Sequence, residues 1–169
     1  EEAFTARDVI GLAGVLARAK AEAVAALVDD PDVLIVACDS LLELDGAPLG
    51  KPGSAAEAVQ RWRQMRGRTG ELHTGHHVIR RTRTTTRTAA AVASTEVAFA
   101  ELDDAEIEAY AATGEPERVA GAFTIDGLGG AFVTSINGDP HNVVGISLPL
   151  LRVLFAELGV RWHTLWSPH

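Results

Sequence analysis

Between residues 7 and 28 the apolar positions Val9, Leu12, Leu16, Ala19, Ala23 and Leu27 return every three or four residues. That is the period of an amphipathic helix, and Asp29, Asp30 and Pro31 bring it to an end. Lys20 falls beside the stripe. The pattern then changes to an unbroken run from Val33 through Leu34, Ile35, Val36 and Ala37 to Cys38, rich in β-branched residues like a strand buried on both faces. Asp39 follows at the predicted C-terminal end of that strand.

Further along, Asp45-Gly46 stands between short apolar flanks over residues 41–49 and predicts a hairpin. Ser54 with Glu57 three residues later makes a capping box, and Ala58, Val59, Trp62 and Met65 trace the helical face it opens, ending near Gly67. Residues 72–79 and 89–99 read as strands, joined by an Arg- and Thr-rich stretch. Asp103 and Glu106 form a second capping box, for a helix carrying Ile107 and Tyr110 that stops before Gly114 and Pro116. Residues 123–136 look strand-like although Gly127, Gly129 and Gly130 interrupt them, and Asn137-Gly138 supplies another turn. A last helix over residues 148–158 has Pro149 in its first turn and Gly159 at its stop. Helices and strands intermingle without a strict βαβ repeat, so the expected fold is α/β with α+β character, a mixed central sheet flanked by helices. The 169 residues suit a single domain, with no internal repeat or linker.

Charge narrows the possible ligands. Fifteen Lys and Arg against 23 Asp and Glu give a net charge of −8, which argues against a broad nucleic-acid footprint. An anionic ligand then needs local help from placed lysines, backbone amides or a divalent metal bridging carboxylates to phosphates. The single cysteine, Cys38, has no internal disulfide partner, no secretory leader is visible, and no apolar run reaches the roughly 20 residues of a membrane span. The expectation is a cytoplasmic protein without a membrane role.

Several residues carry candidate chemistry. A carboxylate at a strand end is suited to holding a metal or accepting a proton, which makes Asp39 the leading catalytic candidate, with a turn or cap residue as the alternative. Lys20 and Lys51 are the only lysines, and a compact ammonium suits a multi-oxygen phosphate; a solvated surface position is the bland reading of each. Thr74-Gly75 and the glycines near Asp126 allow close approach of backbone to a ligand, or simply make turns. Asp126 either reads a base edge or caps a turn. The spacing of His73, His76, His77, His141, His163 and His169 does not complete a closed metal set, and His76 and His77 must point to opposite faces of a strand. Arg80, Arg81, Arg83 and Arg87 alternate with Thr like a solvated hairpin. Trp62 belongs to the core, whereas Trp162 and Trp166 suit an edge cover or a subunit contact.

Three blocks, in order, resemble the Maf family of nucleotide pyrophosphatases. The first is Ala37-Cys38-Asp39-Ser40 with Leu49-Gly50-Lys51-Pro52; the second is Gly67-Arg68-Thr69 with His73-Thr74-Gly75. The third begins Gly114-Glu115-Pro116, continues from Ala120-Gly121-Ala122-Phe123 through Thr124-Ile125-Asp126-Gly127-Leu128-Gly129, and ends with Asn142-Val143-Val144-Gly145 and Leu148-Pro149. Lys20, within Ala19-Lys20-Ala21-Glu22-Ala23, matches a lysine that such proteins carry on the helix before the catalytic strand.

The resemblance implies an inosine triphosphate pyrophosphatase-like fold and metal-dependent cleavage of a nucleoside triphosphate between its α- and β-phosphates, with Mg²⁺ or Mn²⁺ as cofactor. It implies Asp39 as catalytic residue and metal ligand, Lys51, Lys20, Thr74 and Asp126 as substrate contacts, and Glu1 as a second metal ligand. A homodimer and a part in nucleotide-pool sanitation are further expectations, the alternative being a non-catalytic nucleotide-binding regulator of cell division. Two departures stand out. The family's opening strand and Ser-x-Ser-Pro-Arg-Arg phosphate loop do not precede Glu1, and Asp126 stands where many members acting on thymidine or uridine triphosphates have Gln.

Overall fold

The computed structural model describes residues 8–166. Five strands form one sheet: β1 (Val33–Leu44), β2 (Ala47–Leu49), β3 (Thr69–Arg81), β4 (Thr86–Phe99) and β5 (Val133–Asn137), in the order β2-β1-β3-β4-β5. The sheet is flanked by helices as expected, and all four of its pairings are antiparallel. On one face lies α1 (Val9–Ala25); the other carries α2 (Ala55–Met65), α3 (Asp104–Ala112), α4 (Pro140–Val144) and α5 (Leu148–Glu157). No helix among the described residues is long and apolar enough to cross a membrane.

The helix predicted first forms with Asp8 as its N-cap, but its buried face is not the predicted stripe. Val9, Ala13, Ala17 and Ala21 turn inward, while Leu12 and Leu16 are only partly covered and Leu27, past the helix, is 84% exposed. The cause is close approach. A Cβ on Gly75 of β3 would collide with the Ala13 carbonyl, so only small side chains fit between this helix and the sheet.

The first strand also differs from its prediction, running on through Asp39 to Leu44. The polar Asp39-Ser40 pair looks like a strand end, yet across the register Asp39 faces Gly75 and Ser40 faces Thr74, where the Ser40 and Thr74 hydroxyls hydrogen-bond at 2.8 Å. The polar pair is accommodated in mid-strand because Ser40 bonds across to Thr74 and the Asp39 carboxylate is met by Lys20. β2 joins β1 only at residues 42–44, so over residues 33–41 β1 is the sheet's edge among the described residues. The predicted turn closes that hairpin with Asp45 and Gly46 both at positive φ, 53° and 78°.

Residues 123–132 are not a strand. Three short 3₁₀ turns occupy most of 115–132, and only Val133–Asn137 pairs with β4. Gly121 at φ +70° and Ala122 at +61° bend the chain out of any extended path. This stretch closes the main core, in which the fully buried Trp62 meets Phe99, Tyr110 and Phe132 edge to face at 5.6–5.7 Å. A second core on the same face packs α5, through Leu151, Leu154, Phe155 and Leu158, on Val78 and Ala89.

The arginines of the β3–β4 hairpin do more than face solvent. Arg81 donates to the carbonyls of Ala25 and Val28, and Arg80 and Arg87 donate to those of Leu158 and Glu157. Those of Ala25, Glu157 and Leu158 lie at the ends of α1 and α5, where cations also meet the negative end of the helix dipole, and that of Val28 lies just past α1.

Candidate active site

A cleft of about 210 Å³ opens at the free edge of β1, between the main core and α4. Cys38, Asp39, Ser40 and Lys51 form its edge-strand side, and Arg118 faces them from the turn after α3. Phe123, Ile125 and Val143 supply apolar lining, and Asp126 and Gly145 line it as well. The lining thus combines a carboxylate and two cations with an apolar surface. That combination suits a ligand with a polyanionic part and a planar apolar part.

Asp39 shares its strand face with Ile35 and Leu41, which pack under α1, and because the strand is an edge here the residue also lines the cleft. Lys20 reaches down from α1 to place Nζ 2.9 Å from Asp39 Oδ2, while Oδ1 accepts the Ser40 amide at 3.0 Å. The two matched residues, 19 positions apart, therefore meet in space. Lys20 is not part of the cleft lining itself and acts on it through Asp39.

Lys51 sits in the β2–α2 loop, which is anchored on both sides. Arg61 donates to the Gly50 carbonyl at 3.0 Å, and the Gly53 amide donates to Glu117 at 3.1 Å. The second bond ties the lysine loop to the turn that carries Arg118, which fixes the spacing of the two cations. Sequence reading did not single out Arg118; its position two residues after Pro116, inside the third matched block, was the available signal.

Thr74, expected at the substrate, is fully buried outside the cleft lining. Its hydroxyl donates to the Asn142 carbonyl at 3.2 Å and bonds to Ser40, so it ties α4 to the sheet behind the cleft. Asn142 is buried with it: Nδ2 donates to the carbonyls of Leu72 and Ala93, both at 3.1 Å, and to Thr95 Oγ1. These bonds hold α4, and with it Val143 and Gly145, against the cleft. Glu1 lies outside the described residues.

Burial pushes the Cys38 thiol up to about 11, and Asp39 adds to the shift while Lys20 opposes it. A thiol so placed stays protonated at neutral pH and is no nucleophile. Among the described residues no three His, Cys, Asp or Glu side chains converge to hold a metal. His76 and His77 do face opposite ways: Nε2 of His76 accepts the Ser147 amide beneath α5, whereas His77 lies toward Glu22 and Arg18 of α1.

A family model described as Maf-like protein matches residues 2–158. Among curated proteins, a nucleoside triphosphate pyrophosphatase of Cutibacterium acnes is 51% identical over 172 residues, covering 99% of this chain and 81% of that protein. Proteins of the same name from Salinispora tropica and Streptomyces coelicolor are 56% and 52% identical, covering 90% and 99% of this chain and 68% and 81% of their own lengths.

Proposed function

Since the chain belongs to the Maf-like proteins, we propose that it hydrolyses a nucleoside triphosphate to the monophosphate and pyrophosphate, with the phosphates at the Asp39–Lys51 end of the cleft and the base along Phe123 and Asp126. The observation that carries this reading is that Asp39, its carboxylate paired with Lys20, lines the same cleft as Lys51 and Arg118 and as the apolar Phe123 and Ile125, residues distant in sequence.

In this reaction water attacks the α-phosphorus, a P–O bond forms to the water oxygen, and the bridging bond to the β-phosphorus breaks with pyrophosphate leaving. Asp39 orients the water and takes its proton. Lys51 and Arg118 steady the charge on the leaving pyrophosphate. Lys20 holds the Asp39 carboxylate in one orientation. A hard divalent cation such as Mg²⁺ or Mn²⁺ needs one or two carboxylates and completes its shell with substrate oxygens. Asp39 fits that requirement, with Glu1 as the second candidate; such a cation would neutralise the triphosphate and polarise the α-phosphorus.

The test is pyrophosphate release from a panel of canonical and modified nucleoside triphosphates in Mg²⁺, Mn²⁺ or chelator. Chelator-sensitive pyrophosphate from one or a few substrates is the expected result. Saturable binding with no release would replace the enzyme by a nucleotide-binding regulator, and orthophosphate in place of pyrophosphate would make it a different phosphatase.

A further inference from the structure

Glu115 is the most heavily hydrogen-bonded carboxylate among the described residues, and none of its partners is a cation. Oε1 accepts the Tyr110 hydroxyl at 2.7 Å, the Gly129 amide at 3.0 Å and the Thr124 hydroxyl; Oε2 accepts the Leu128 amide at 3.0 Å. Three of these four donors belong to one loop, residues 124–129, and that loop carries Ile125 and Asp126 into the lining of the cleft. The loop's glycines follow from the same arrangement. A Cβ on Gly127 would stand 2.7 Å from Glu115 Oε2, and one on Gly129 would collide with the Tyr110 hydroxyl. Partial burial pushes the Glu115 carboxyl up, but the donors from Thr124, Gly129, Tyr110 and Leu128 outweigh it and bring it down to about 2, so it stays an acceptor across the working pH range.

Asp126 is exposed, and no hydrogen bond holds its carboxylate among the described residues. Its placement therefore depends on the chain on either side of it, and Glu115 grips that chain through the Thr124 hydroxyl and the Leu128 and Gly129 amides.

We propose that Glu115 is a positioning residue for the base end of the cleft: it touches no substrate, and by clamping residues 124–129 it sets where Ile125 and Asp126 meet the nucleobase while leaving the phosphate end untouched. The inference rests on the base lying along this loop, as the functional reading above has it. It is specific about which half of the ligand feels the side chain, because every bond of the Glu115 carboxylate runs to Tyr110 or to residues 124–129, whereas Asp39 is held by Lys20 and the Ser40 amide and the Lys51 loop by Arg61 and the backbone carbonyl of Glu117.

The test is calorimetric binding of two probes to wild type and Glu115→Gln: a panel of nucleoside 5′-monophosphates, and inorganic pyrophosphate. Neither titration requires turnover, so failure of the pyrophosphatase reading is detected separately, in the release assay. Gln keeps the length but offers one acceptor oxygen and adds two donors facing the loop amides. The expected result is a tenfold or greater loss of affinity for the best-bound monophosphate, with pyrophosphate affinity within twofold of wild type. Equal losses for both probes would make Glu115 a general stabiliser of the fold, and unchanged affinities would remove it from the site. Tyr110→Phe, which deletes one of the four donors and keeps the ring in the core, carries the same test where Glu115→Gln does not fold. A several-fold loss confined to the monophosphate is expected of it, and wild-type affinities in a folded Tyr110→Phe would overturn the proposal.

Discussion

Lys20 Nζ and Asp39 Oδ2 lie 2.9 Å apart, an ion pair that links an exposed face of α1 to the middle of β1. With Lys20 about half exposed, the pair adds little to stability; its value is geometric, since it holds one carboxylate oxygen toward the helix in a residue that lines the cleft. The two residues should therefore separate in kinetics. Asp39→Asn keeps shape and loses the proton acceptor, and should lower kcat by about 100- to 10,000-fold with an unchanged thermal midpoint. Lys20→Ala should lower it only about tenfold, the effect of a freed but intact carboxylate. Steady-state pyrophosphate release decides both, and wild-type kcat in Asp39→Asn would remove that residue from the chemistry.

Lys51 lines the cleft from a loop anchored independently of its own side chain, by Arg61 on Gly50 and Glu117 on Gly53. Lys51→Ala should leave the loop in place and raise KM about tenfold. It should also flatten the dependence of KM on ionic strength, because an exposed charge attracting a polyanion is screened by salt. Titrating KM against NaCl for both proteins makes the comparison, and parallel curves would assign Lys51 to solvent.

Much of this arrangement was legible beforehand, and the failures have a common cause. Periodicity and caps located α2, α3 and α5 because Trp62, Ile107 and Leu154 sit on faces whose burial depends on spacing alone. The buried face of α1 was misread because it is set by a partner: Gly75 brings Ala13 so close that small residues replace large ones. Of the strand predicted over residues 123–136 only the part from Val133 forms, for a similar reason, since the shape of the preceding loop is imposed by a carboxylate at Glu115, outside the segment. Asp39, Lys20 and Lys51 could be named as candidates from the chain, but only the register Asp39–Gly75 and the packing of α1 bring Lys20 to Asp39. Thr74 was named for the site and serves behind it, because a hydroxyl in mid-strand looks the same in sequence whichever way its hydrogen bond runs.

Asn142 offers a test of how α4 is held. Its Nδ2 donates to two carbonyls and a hydroxyl, whereas Oδ1 is buried without a partner among the described residues. Asn142→Asp replaces the donor with a buried anion facing the carbonyls of Leu72 and Ala93. The expected cost is about 3 kcal/mol at neutral pH. Urea denaturation should show the midpoint falling with unchanged slope, and part of the loss should return as acid protonates the new carboxyl. A neutral-pH midpoint equal to wild type would mean that this amide does not secure the helix.

His76 makes stability fall on the acid side. Its Nδ1–H donates to the Thr74 carbonyl at 2.9 Å and its Nε2 accepts the Ser147 amide at 2.8 Å, so both ring nitrogens are committed to the neutral tautomer. Burial lowers its pKa from the ordinary 6.5, against smaller opposing effects of the Thr74 bond and Asp139. Burial likewise lowers that of His77, with Glu22 opposing and Arg18 reinforcing. With both values depressed in the folded protein, the unfolded chain binds more protons below about 6.5. The contribution to stability is therefore complete above that pH and drains away as pH falls through it toward the folded-state values. Protonating Nε2 would also set a donor against the Ser147 amide at the start of α5, so the loss is felt where that helix docks. The thermal midpoint should hold steady between pH 8 and 7 and drop between 6.5 and 5. His76→Gln should be less stable at pH 7.5 and show a shallower drop, because one of the two titrating groups is gone. Equal slopes for wild type and His76→Gln across that window would rule out His76 as a source of the acid sensitivity.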